Sequence, residues 1–128
     1  MADEEPQKRK ILVAEDENPL REALIDRLSV EPEFEVFGAA DGEEALQMLE
    51  ELRPDLVLLD IAMPKKNGLA VYQEMKSSLW GDKIKVMFLT NSSGLTDVAF
   101  AQQYGLVDYL VKADWDIEDI VKKIKEKF

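Results

Sequence analysis

Two kinds of apolar pattern alternate along the chain. Ile11-Leu12-Val13-Ala14 and Val86-Met87-Phe88-Leu89 are short runs without charge, and Asp55-Leu56-Val57-Leu58-Leu59-Asp60 has an apolar centre bounded by two acids. Such runs suit strands buried on both faces. Phe34-Glu35-Val36-Phe37 and Val107-Asp108-Tyr109-Leu110-Val111 each carry an acid inside, which suits sheet edges, where one side meets water. Between these runs lie helical stripes. Asn18-Pro19 reads as a helix start with Asn as cap, followed by Leu20, Ala23, Leu24 and Leu28 on one face. Asp41 and Glu44 have the spacing of a capping box ahead of Ala45, Leu46, Leu49 and Leu52, and Pro54 stops that helix. Gly68 precedes Leu69, Val71, Tyr72 and Met75. A shorter segment from about Leu95 to Gln103 ends at Gly105. Asp116 can cap a last helix, whose stripe is Ile117, Ile120, Val121, Ile124 and Phe128 and packs inward.

This ordered alternation predicts an α/β fold, a doubly wound parallel sheet with helices on both faces. Placing the second and fifth strands at the edges, with right-handed crossovers, gives strand order 2-1-3-4-5. Residues 1–9 read as a short solvated tail and 10–128 as one domain, with no internal repeat or linker. The sequence ends inside its last helix, so a stand-alone domain without an attached output domain is expected.

Composition narrows the chemistry. The 128 residues include no Cys and no His. Disulfides, thiolate metal sites, the usual zinc sites and His-based acid–base catalysis are therefore excluded. What remains is carboxylates, hydroxyls, lysines and a hard metal. A net charge of −11 argues against general nucleic-acid binding, which needs clustered cations. No apolar run is long enough to span a bilayer, and the charged N-terminus is not a signal peptide. A cytoplasmic setting is the expectation.

In an open parallel sheet, ligands bind beyond the carboxyl ends of the strands, where strand order reverses. Glu15 and Asp16 follow the first strand, Asp60 ends the third, Thr90 the fourth and Lys112 the fifth. Taken singly, an acid at a strand end is commonly a helix cap or a solvated turn. Together, three converging carboxylates must either raise their pKa values or bind a cation. With oxygen ligands only, the cation would be Mg²⁺ or a similar hard ion. A metal there would admit a phosphate, a carboxylate could act as nucleophile, and Lys112 and Thr90 could hold phosphate oxygens.

At these residues the sequence closely resembles the receiver domain of two-component response regulators. The resemblance is carried by Ile11 to Glu17, Leu58-Leu59-Asp60-Ile61-Ala62-Met63-Pro64, Asn67-Gly68, Leu89-Thr90 and Tyr109-Leu110-Val111-Lys112, and spans residues 10–128. It implies the same doubly wound, flavodoxin-like sheet. It also implies that Asp60 is the phosphoacceptor, that Asp16 ligates Mg²⁺ with Glu15 assisting, and that Ala62 contributes its backbone carbonyl to the metal. Thr90 and Lys112 would bind the phosphoryl group, and Thr90 and Tyr109 would form the switch. The implied donor is a histidine kinase or a histidine phosphotransfer protein. The implied output surface comprises the fourth helix, fifth strand and fifth helix, about Leu95–Tyr104, Val107–Val111 and Asp116–Phe128, and docks a downstream protein.

Three positions depart from that family's pattern. Ala113 follows Lys112 where the family usually has Pro after a cis bond, so either a strained cis bond or a different loop path is expected. Asn91 is larger than the small residue often found there. Ala62 and Ser92 are small at the two places where the family tunes dephosphorylation. Met63-Pro64 reads as a turn element, and Trp115 as a shield for the loop or part of a partner surface. Competing functions are a Mg²⁺-dependent phosphatase, which would want an acid at Ala62 as general acid, and a nucleotide- or flavin-binding module, which would want a Gly-rich loop in place of Glu15-Asp16-Glu17. A degenerate receiver acting as a constitutive binding module is the third.

Overall fold

The computed structural model describes residues 7–90 and 108–128. The predicted segment Leu95–Gln103, its stop at Gly105, and Asn91, Ser92 and Val107 lie outside those residues. The strands are β1 (Arg9–Ala14), β2 (Phe34–Ala39), β3 (Leu56–Asp60), β4 (Lys85–Thr90) and β5 (Tyr109–Val111). They form one parallel sheet in the order β2-β1-β3-β4-β5, as the placement of the acids predicted. β3 is buried at every residue, whereas β2 is buried only at its two ends, Phe34 and Ala39. This is the difference between a central strand and an edge.

The alternation of side chains splits the core in two. Leu12, Ala14, Val57, Leu59 and Phe88 face helices α2 (Gly42–Leu52) and α3 (Gly68–Lys76). Ile11, Val13, Leu56, Leu58, Met87 and Leu89 face α1 (Asn18–Ser29) and the C-terminal helix (Ile117–Lys125). Ile120, Val121 and Ile124 of the predicted last stripe are buried, while Phe128 remains partly exposed, its ring 6.1 Å from that of Phe34.

Helix starts are specified locally. Asp41 Oδ1 accepts from the N–H of Glu44 (2.8 Å), and Glu44 reaches back to the N–H of Ala40 (3.2 Å), so the predicted box forms one residue wider than usual. Asp116 caps the C-terminal helix through the Asp119 N–H at 2.8 Å. The last turn of that helix carries Lys122, Lys123 and Lys125, which suit its negative end.

One start differs from expectation. Asn18 is the first helical residue and Glu17 is the cap position. The Asn18 carboxamide is instead taken by the Arg21 guanidinium, and the Glu17 N–H is given to Glu15 Oε2 at 3.0 Å. The first turn is thus tied to the strand end rather than to its own cap.

Two glycines set the approach of α2 and α3 to the loop after β3. A Cβ on Gly68 would lie 2.2 Å from the Asp60 carbonyl oxygen, and one on Gly42 would lie 1.7 Å from that of Lys66. Only glycine lets backbones come so close. The Gly68 N–H donates to Ile61 O at 2.8 Å, and Asn67 Oδ1 caps α3 through the Ala70 N–H at 2.8 Å. Between them Lys65 has φ 67° and the Lys66 N–H turns back to Pro64 O at 2.7 Å, a three-residue γ-turn of a rare, strained kind. The loop beside Asp60 is therefore pinned at several points.

Candidate functional site

The site grows from register. Ala14 of β1 pairs with Leu59 of β3, so Glu15 and Asp60, the next residues out, emerge side by side at the carboxyl edge. The Glu15 N–H extends the β2 ladder to Ala39 O at 3.0 Å, and the Ile61 N–H extends the β4 ladder to Leu89 O at 3.0 Å. Both chains are thus still held where they leave the sheet. Glu15 and Asp60 are fully buried and Thr90 nearly so. Glu15, Asp16 and Asp60 each present an oxygen within 4.8 Å of the others.

Lys112 comes in from the far side. Its Nζ lies 2.6 Å from Glu15 Oε1, 3.2 Å from Glu17 Oε2 and 3.5 Å from Asp60 Oδ2. The departure at Ala113 resolves into a different loop path. No peptide bond among the described residues is cis, and Lys112–Asp114 forms a single 3₁₀ turn closed by the Trp115 N–H on Lys112 O at 3.5 Å. The ammonium still reaches the carboxylates.

One ammonium does not balance this much negative charge. Burial, then the neighbouring Asp16 and Glu15, push the Asp60 carboxyl up to about 8, against a smaller pull from Lys112. Asp16 feels burial too, but contact with Asp60 and Glu15 outweighs it and holds Asp16 below its ordinary value. Burial would pull Lys112 down, yet Glu15, Asp60 and Glu17 together hold it above its ordinary value.

Glu15 Oε1 and Asp60 Oδ2 are buried and receive no well-directed hydrogen bond from the described residues. Lys112 approaches both without the alignment of a hydrogen bond. Buried acceptors left in this state are costly. An all-oxygen donor set with two orphaned, inward-facing oxygens fits a hard divalent cation. These residues could hold one, with Lys112 left to meet an anion.

The remaining predicted residues fall around this centre. The Ala62 N–H lies 3.3 Å from Asp60 Oδ1, so its peptide is at the rim although its side chain is exposed. Met63 is buried in the core beside α2 and α3. Tyr109 is half-buried against the same core face. Trp115 packs on the opposite face, with Leu20 and Ile117 around a cavity of about 560 Å³ that opens beside Lys112.

Two residues with direct contacts were missed in the sequence. Glu17 holds Lys112, and Arg21 donates to the Glu15 carbonyl at 2.7 Å. The third acid in the Glu15-Asp16-Glu17 run was the available signal for the first. Arg21 had none beyond its place in the first turn of α1.

This geometry agrees with what the chain is similar to. The model of the response regulator receiver domain matches residues 11–125, and the chain belongs to that family. It is 36% identical over 116 residues to the transcriptional regulatory protein LnrK of Bacillus subtilis, covering 90% of this chain and 51% of that protein. It is 35% identical over 121 residues to a protein-glutamate methylesterase/protein-glutamine glutaminase of Pyrococcus horikoshii, covering 94% of this chain and 33% of that protein. The chain thus spans from a third to about half the length of these curated relatives. Among solved structures, a LuxR-family DNA-binding response regulator from Staphylococcus aureus superposes with a TM-score of 0.83 at 29% identity, covering 92% of this chain and 97% of that one. A CheY-like receiver domain protein from Methanospirillum hungatei gives 0.83 at 26% identity, covering 94% of each. Phosphorylation-based switching is the general function of this family. No helix among the described residues is long and apolar enough to cross a membrane.

Proposed function

We propose that this chain is a phosphorylation switch in which Asp60 accepts a phosphoryl group from a phosphohistidine donor. The observation that carries the reading is the pair of orphaned buried oxygens on Glu15 and Asp60, facing one lysine at the rim of the sheet. In this reading Asp16, Asp60 and the Ala62 carbonyl hold Mg²⁺, with Glu15 assisting. When bound, Mg²⁺ offsets the clustered charge and draws phosphoryl oxygens toward the site. The Asp60 carboxylate oxygen attacks phosphorus. A P–O bond forms as the P–N bond to the donor imidazole breaks, and the nitrogen keeps the electron pair.

Lys112 and Thr90 then bind the new oxygens. The phosphoryl group carries about −1.5 to −2 charge, and each well-formed charge-assisted contact contributes on the order of 1.5–3 kcal/mol. Contacts made only in the phosphorylated arrangement shift a minor conformation to a major one. Tyr109, on β5 beside the strand that carries Thr90, follows that shift in this reading.

The output face is about 95–104, 107–111 and 116–128, of which 108–111 and 116–128 fall within the described residues. It docks a downstream protein target and has no direct role on nucleic acid. The donor is a histidine kinase or a histidine phosphotransfer protein, in the cytoplasm. The chain is a phosphoacceptor that assists its own phosphotransfer and dephosphorylation, built as a short tail and a receiver domain; Arg9, read from the sequence as the last tail residue, is the first residue of β1 and pairs with Phe34.

The test is intact mass after incubation with a small acyl-phosphate donor and Mg²⁺. One added phosphoryl group is expected, lost in Asp60→Asn and without Mg²⁺. No gain under conditions where Mg²⁺ binds contradicts the reading.

A further inference from the structure

We propose that Glu17 is a positioning residue that holds Lys112 in the resting state and must release it before Lys112 can grip a phosphoryl group on Asp60. The inference rests on the reading of Asp60 as phosphoacceptor. Three carboxylates surround the Lys112 ammonium, but Glu17 Oε2, at 3.2 Å, is the one that accepts a directed hydrogen bond from it. Glu15 Oε1 and Asp60 Oδ2 receive none from the described residues. Its shortest contact is to the buried Glu15 Oε1 at 2.6 Å, and Asp60 Oδ2 lies 3.5 Å off, so in the resting state the ammonium is shared between Glu15 and Glu17.

The backbone of Glu17 is fixed while its side chain can move. Its carbonyl accepts the Arg21 N–H at 2.9 Å, its N–H is held by Glu15 Oε2 at 3.0 Å, and it occupies the cap position of α1. Its side chain is 52% exposed, whereas Glu15 is fully buried and Asp60 nearly so. A half-exposed carboxylate returns to water at little cost, but a buried one does not. Of the carboxylates touching Lys112, Glu17 is therefore the one that can let go. A contact present only in the resting state biases the equilibrium against the phosphorylated state by its own worth.

The test is the affinity for beryllium fluoride, a phosphoryl mimic, at saturating Mg²⁺, in wild type, Glu17→Gln and Glu17→Asp. Affinity should rise about two- to five-fold in Glu17→Gln, the range of a half-exposed ion pair. Glu17→Asp keeps the charge but falls short of Lys112, and should show most of the same rise. Affinity for Mg²⁺ alone should stay within about two-fold of wild type, since Glu17 is not among the proposed ligands. An unchanged or weakened affinity in Glu17→Gln overturns the proposal. So does a Glu17→Asp that behaves as wild type, which would assign the effect to charge alone. If wild type binds no beryllium fluoride that Asp60→Asn abolishes, the phosphoacceptor reading falls, and this proposal with it.

Discussion

The molecule has two clusters of charge, and they are built on opposite terms. Arg27 on α1 makes a two-pronged contact with Glu118 (2.6 and 3.0 Å) and another with Glu31 (2.8 Å), while Lys125 adds 2.9 Å to Glu31. Two cations meet two anions in water-accessible positions, and the contacts clip the C-terminal helix onto α1. Salt-bridge partners hold the Glu31 carboxyl down to about 2, Lys125 most strongly and then Arg27. At the rim, by contrast, one lysine faces Glu15, Asp16, Glu17 and Asp60, with two of the carboxylate oxygens buried and orphaned. The first cluster is complete as it stands and supports the fold. The second is short of positive charge in a place where charge is expensive. A structure that keeps such a deficit at the ligand-binding edge of a parallel sheet is arranged for something else to complete it.

Removing the lysine from the deficient cluster should have the largest effect. Lys112→Met removes the ammonium 2.6 Å from the buried Glu15 carboxylate and should destabilise the fold by about 3 kcal/mol, read by denaturant unfolding. A loss no larger than that of a surface substitution would erase the contrast.

Removing an anion should act the other way. Asp60→Asn relieves the crowding and should stabilise the metal-free protein at pH 8 by about 1–2 kcal/mol, a figure reduced for the water that reaches the rim. The sign follows from the raised pKa. The contribution of Asp60 is fully present below the ordinary carboxyl value of 3.8 and is lost as pH rises through about 8. Metal-free wild type should therefore lose stability across that window relative to Asp60→Asn, as melting curves at each pH will show. Parallel profiles would mean that Asp60 is not strained.

The smallest effect belongs to the complete cluster. Arg27→Ala should lower the melting temperature only slightly, and the difference should shrink further in high salt. A large, salt-insensitive loss would make that cluster as consequential as the rim.

Most of the frame was legible because charge and apolarity report burial directly. Glu35 and Asp108 marked the edge strands, and the fully apolar centre of 56–59 marked the middle one. Glu15, Asp60, Thr90 and Lys112 were readable as rim residues because strand ends are fixed once strand order is known.

What escaped was set by contacts across the chain. Asn18 had every local mark of a cap, but Arg21 took its side chain and Glu15 took the Glu17 N–H. The role of Glu17 depends on a lysine 95 positions away. The path after Lys112 follows from a 3₁₀ turn that no single residue announces. Gly68 could be seen as a helix start, but not as the place where α3 touches the Asp60 backbone.

On this reading the rim is a cation site completed from outside. The site is tested most directly by titrating Mg²⁺ at pH 8 into wild type, Asp16→Asn and Asp60→Asn by calorimetry. One saturable site is expected in wild type, strongly weakened in both variants while their folds persist. Binding that is absent in wild type, or equal in all three, would contradict it.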